Sequence, residues 1–163
     1  MGEKYPHLID KLVLTHTGLA GREGAADELD KSKKMIRLLP FFLMKNKLKA
    51  RLEYNPASEW NEFHEAYFLE TVSRLTKQLF LDFLESTLRF ERETRDLSTE
   101  TRKWHGETIL LGTRDDKDAF KYFDRLLDLY SNAKSYIFDE KGGHHTSFLF
   151  PEKYTQVLNR YLE

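Results

Sequence analysis

Three short, solidly apolar runs set apart by helix-length segments constrain this chain more than any other feature. Leu12, Val13 and Leu14 form the first, Ile109, Leu110 and Leu111 the second, and Tyr136, Ile137 and Phe138 the third. Runs this short without polar alternation suit strands buried on both faces, and strands alternating with helices suit parallel pairing through right-handed crossovers. The expected fold class is α/β, with three parallel strands, flanking helices and a mainly helical insertion. Periodicity alone leaves an all-α rival open, in which DEKGGHHT would be the tip of a hairpin.

The second and third runs each break into a glycine turn that presents an acid or a histidine: Gly112 leads to Asp115 and Asp116, and Gly143 to His144 and His145. A carboxylate and an imidazole delivered this way read as the acid and base of a hydrolytic triad. No Gly-x-Ser-x-Gly occurs in the chain, so the nucleophile that such a pair would serve is missing from it.

Between the first and second strands the sequence reads as helix, broken at Pro40 and at Asn55-Pro56. Its strongest element opens at Ser58 as N-cap and places Trp60, Phe63, Tyr67, Val72, Leu75, Leu79, Phe83 and Leu88 on one apolar face. After the second strand an amphipathic helix carries Phe120, Phe123, Leu127 and Tyr130, and Pro151 opens a last helix that turns Tyr154, Val157, Leu158 and Tyr161 inward. Residues 31–51 hold eight Lys and Arg with no acid, around the apolar segment 36–44. Its side chains could line an acyl or aromatic pocket, lie on an anionic membrane surface, or pack as an ordinary helix with a solvated basic face. Nucleic-acid binding is disfavoured, because the basic residues lack interleaved aromatic platforms and the rest of the chain is acidic.

At 163 residues, 40% hydrophobic and 33% charged, the chain is long enough for a real core and has the composition of an ordinary soluble protein. The absence of cysteine excludes disulfides, thiolate metal sites and a cysteine nucleophile. Met1 to Pro6 does not read as a secretory signal, and cytoplasm is the default expectation. His7, His64 and His105 read as turn, helix and loop residues, and His16, at the end of the first strand, as a capping or loop contact. No two histidines stand at metal-ligand spacing in the sequence, so no metal and no cofactor is assigned.

From Thr108 onward the chain resembles the C-terminal end of the α/β-hydrolase superfamily. An apolar strand runs into Gly-x-x-Asp (Gly112, Asp115), then come a helix, a strand, Gly-His (Gly143, His144) and a proline, Pro151, opening the final helix. YPHLIDKLVLTHTGL resembles the strand that follows the nucleophile helix in that family. The resemblance implies three segments: 1–18 as the first core strand, 19–104 as a helical cap inserted after it, and 105–163 as the rest of the core. It implies Asp115 as the acid, with Asp116 its rival, and His144 as the base, with His145 its rival. Leu39, Phe41, Phe42 and Met44 of the cap would touch substrate.

In that family the nucleophile elbow and oxyanion loop precede the Tyr5-Pro6 segment. The resemblance therefore implies the C-terminal half of a hydrolase for carboxylic esters or related acyl bonds, inactive alone, whose partners are a small ester or acyl substrate and the N-terminal half of the fold. A different class stays open: a binding or scaffolding protein that keeps half the fold and pairs its open first strand with itself or with a complementary chain.

Overall fold

The computed structural model describes residues 9–18, 23–52, 54–94 and 106–162. They divide into two compact units, one drawn from 1–19, 53–61 and 101–163 and the other from 20–52 and 62–100.

The first unit holds a three-stranded parallel sheet in the order β1 (Lys11–Thr15), β2 (Glu107–Thr113), β3 (Ala133–Phe138). Leu12 lies against Thr108 and Leu14 against Leu110, while Leu110 lies against Ser135 and Thr113 against Phe138. The central strand is the most deeply buried, from Thr108 through Thr113. Its side chains alternate between two cores, as the pleat requires. Leu110 points into a cluster with Phe123, Leu126 and Tyr130, whereas Ile109 and Leu111 join Phe138 and Val157 on the other face. Burying one such aliphatic side chain contributes roughly 1.5–3 kcal/mol. The edge strand β1 is only half-buried, so the expectation of burial on both faces holds for β2 alone.

The amphipathic segment after β2 forms two short helices, α5 (Lys117–Phe120) and α6 (Phe123–Leu129), in place of one. α8 (Pro151–Leu162) closes the opposite face with Val157 fully buried. Its position is fixed by polar contacts at both sheet edges. Lys11 Nζ donates to the carbonyls of Tyr161 and Leu162, the Tyr154 hydroxyl bonds Thr15 Oγ1 at 2.7 Å, and the Tyr161 hydroxyl donates to the Ser135 carbonyl. The DEKGGHHT segment is no hairpin: Gly143–His145 is one 3₁₀ turn leading into α7 (Thr146–Leu149). Gly142 is required there, since a Cβ would lie 2.7 Å from the Cα and Oγ1 of Thr146.

Residues 53–61, inside the stretch expected as insertion, belong to the sheet-bearing unit. Asn55 donates to the Lys141 carbonyl, Ser58 Oγ to the Leu149 carbonyl, and Trp60 Nε1 to the Glu152 carboxylate. Ser58 thus anchors a loop, and the helix begins three residues later.

The second unit is helical, with α1 (Ala25–Leu38), α2 (Phe41–Lys49), α3 (Asn61–Arg74) and α4 (Lys77–Glu93), α1 packing on α4. Pro40 separates the first two as expected. Lys77 Nζ caps α1 by donating to the carbonyls of Arg37 and Leu39, and Lys33 pairs with Glu85. The single long helix expected from Ser58 is instead two, because Thr76 is an N-cap whose side chain accepts from Leu79 N–H. The interruption resets the helical phase. Val72, Leu84 and Leu88 are buried together with His64, while Phe63, Tyr67, Leu79 and Phe83 of the expected inner face are exposed. No described helix is long and apolar enough to cross a membrane.

Truncating Leu110 to Ala removes a side chain shared by the central strand and the α6 core, and should cost about 2–5 kcal/mol in urea denaturation. Phe42→Ala, at an exposed position of α2, should stay within about 0.5 kcal/mol of the parent.

Candidate active site

Parallel pairing places the carboxyl ends of all three strands at one edge of the sheet, and each delivers one residue to the same point. His16 directly follows β1, Asp116 lies three residues beyond β2, and His144 sits in the 3₁₀ turn after β3. His144 Nδ1 is 2.9 Å from Asp116 Oδ2, and His16 Nδ1 is 3.1 Å from the same oxygen. The two imidazole rings meet edge to face with centroids 5.5 Å apart. A carboxylate oxygen only accepts, so both rings carry their proton on Nδ1 when neutral.

This corrects the pairing expected from Gly-x-x-Asp. Asp115 Oδ2 accepts the Gly143 backbone N–H at 3.1 Å, and the histidine's carboxylate is that of Asp116. The cause is helix capping. Asp116 is the N-cap of α5 and its Oδ1 accepts the Ala119 N–H, which turns Oδ2 toward the two imidazoles. Asp115 ties the Gly143 turn, where φ is +51°, to the β2 loop. The Gly143 carbonyl accepts in turn from the hydroxyls of Thr113 and Thr146. Of the two histidines in the turn, His144 is the one whose Nδ1 contacts Asp116.

His16 was read from sequence as a capping or loop contact, yet it is 8% exposed and shares the acid with His144. Its backbone is left-handed, φ +46°, a conformation that costs roughly 1–3 kcal/mol in a non-glycine residue. Its N–H donates to the Leu111 carbonyl, extending the ladder beyond β1, so the sheet and the acid together hold it. The sequence signal was its place directly after an apolar run. The 100 residues separating it from Asp116 hid the partnership.

Burial holds the His16 imidazole below its ordinary range, outweighing the upward pull of the Asp116 hydrogen bond and charge. For Asp116, burial acts to raise the carboxyl, but the Ala119 N–H, the bond and charge from His144 and the bond from His16 hold it below the usual carboxylate value. His16 and Asp116 also line a small cavity with about 10 Å³ of room for water, closed by Leu14, Phe120 and Phe123.

Leu39, Phe41 and Met44 lie in the helical unit along an apolar cavity of about 190 Å³ with Met35, Ile36 and Leu43, and Lys47 at its rim. Phe42 is exposed and lies outside that lining. Tyr5, Pro6, His7 and His105 lie outside the described residues.

No protein-family model matches the chain, and no curated protein does. Among solved structures, an esterase from Exiguobacterium antarcticum superposes with a TM-score of 0.63 at 18% identity, over 93% of this chain and 56% of that one. A thermophilic esterase superposes with a TM-score of 0.58 at 17% identity, over 99% of this chain and 59% of that one. The chain therefore has a partial α/β-hydrolase-like fold and spans less than two thirds of the length of these esterases.

Two measurements test the site. In histidine-ring nitrogen NMR, Asp116→Asn should disturb the tautomers of both His16 and His144, whereas Asp115→Asn should leave both rings on Nδ1–H. The second is pH dependence. Because folded His16 protonates only below the unfolded value of about 6.5, the unfolded chain binds more protons between the two values. Its contribution to stability is therefore full above about pH 6.5 and is lost as pH falls through the lowered folded value. The wild-type melting temperature should fall more steeply than that of His16→Asn below about pH 6.5, and parallel curves would contradict the assignment.

Proposed function

We propose that this chain is the C-terminal part of an α/β-hydrolase that cleaves carboxylic esters or related acyl bonds, with His144 as base, Asp116 as acid and a nucleophile upstream of residue 1. The observation that carries this reading is the 2.9 Å contact between His144 Nδ1 and Asp116 Oδ2 at the carboxyl edge of a parallel sheet. The likeness to two longer esterases supports it.

In this reading the Nδ1–H bond to Asp116 fixes the tautomer and leaves Nε2, on a ring whose side chain is 65% exposed, as the atom that takes the nucleophile's proton and returns it to the leaving group. Asp116 stabilises the imidazolium that forms between those steps. Asp115 positions the turn by holding the Gly143 N–H. The edge of β1 away from β2 would take the strand that precedes it in the full fold.

The test begins with the gene upstream of Met1, which should encode an oxyanion loop and Gly-x-Ser-x-Gly. Joined to that segment, the chain should hydrolyse a short-chain nitrophenyl ester, and His144→Ala or Asp116→Asn should lower kcat by about 10⁴-fold, with Asp115→Asn far milder. The chain alone should stay at background. His144-dependent hydrolysis by the chain alone would place the nucleophile within it, and a larger loss in Asp115→Asn would return the acid to Asp115.

A further inference from the structure

The three residues at the sheet edge have a second chemistry that a proton relay does not use. A ring nitrogen each of His16 and His144 and an oxygen of Asp116 all lie within 4.8 Å of one another, and a ring nitrogen freed of its proton offers a lone pair suited to a metal ion. The two N···O separations, 3.1 and 2.9 Å, are close to the roughly 3.3 Å edge of a tetrahedron whose metal–ligand distances are about 2.0–2.1 Å. His16 and Asp116 are both more than nine-tenths buried, so two of the donors are fixed before any ion arrives. His144 is exposed and can swing to complete the set, leaving the fourth position open to water or an anion.

A second observation sits outside these bonds. His16 Nε2 is buried with no protein partner among the described residues. It lies on the far side of the ring from Nδ1, so an ion held by Nδ1 does not reach it; it is the atom that carries the His16 proton when Nδ1 ligates. The donor set, two imidazoles and one carboxylate, suits zinc and its neighbours rather than magnesium or calcium, which prefer all-oxygen shells.

We propose that His16, Asp116 and His144 form a binding site for one divalent transition-metal ion of the zinc type, and that an ion bound there takes the acid and histidine out of proton transfer. Binding requires each neutral imidazole to move its proton from Nδ1 to Nε2 so that Nδ1 can ligate. His144 shifts tautomer through solvent, whereas His16, with Nε2 buried, shifts during a local opening of the site; no net proton is released while both start neutral. With Nε2 of His144 protonated and Nδ1 on the metal, the ring can no longer accept a proton from a nucleophile. That inhibitory consequence rests on the hydrolase reading above, whereas the metal site itself does not.

The experiment is calorimetric titration of the full chain with Zn²⁺ alone at pH 7.5, paired with Co²⁺ absorption as a report on geometry. The expected result is one saturable ion per chain and a tetrahedral Co²⁺ visible spectrum. His16→Asn, Asp116→Asn and His144→Ala should each weaken binding by tenfold or more, since even residues behind the ligands cost about 10–100-fold. His145→Ala should leave binding unchanged. Circular dichroism of each variant separates loss of the site from loss of the fold, and should His16→Asn fail to fold, ring NMR of the wild-type chain replaces it, with zinc moving both His16 and His144 to the Nε2–H form. Absence of saturable binding, or binding that survives the loss of His16 in a folded variant, would overturn the proposal. Zinc binding is read on this chain and ester hydrolysis on the reconstituted enzyme. Zinc binding without hydrolysis defeats the hydrolase reading alone, and hydrolysis that Zn²⁺ never inhibits, with no zinc bound, defeats the metal site alone.

Discussion

The parallel pairing of β2 with a strand on each side is the constraint from which the rest of the sheet-bearing unit follows. Because all three strands run the same way, their carboxyl ends share one edge, and the loops leaving them have nowhere else to converge. The same pairing makes β2 the divider between two cores, so its Leu110 and its Ile109–Leu111 pair commit α6 and α8 to opposite faces. Helix placement and site assembly are consequences of one set of ladder bonds.

Asp116 is the point at which local and long-range structure meet. One carboxylate oxygen starts α5, and the other receives imidazoles from two distant loops. A purely local feature, the preference of an aspartate for an N-cap, thereby decides which acid faces the histidine. Both Asp115 and Asp116 had a claim from sequence, and their separation by one residue gives them different tasks: one organises the turn that carries His144, and the other bonds its ring.

The strands were legible because short unbroken apolar runs bounded by glycine have few other uses, and the helix at Pro151 because proline at a first turn lacks the donor that the helix would leave unpaired. The helical unit was less legible. Counting an apolar face from Ser58 to Leu88 assumed one continuous helix, and a single capping threonine, Thr76, breaks the phase and exposes Phe63, Tyr67, Leu79 and Phe83. His16 was read as a capping or loop contact for a different reason: its partnership with Asp116 spans 100 residues, and neither its neighbours nor any spacing rule encodes it.

By itself the sequence located the three strands and the helix that opens at Pro151, because these depend on local pattern: hydrophobic runs, turn chemistry and helix starts; local pattern left an all-α rival open, and the resemblance chose α/β. Only the tertiary structure decided that Asp116 rather than Asp115 meets His144, that residues 53–61 pack with the sheet-bearing unit, and that His16 shares the acid. Those outcomes turn on where side chains point once distant strand ends are brought within 3 Å or so of each other, and such geometry is set by strand register and capping bonds.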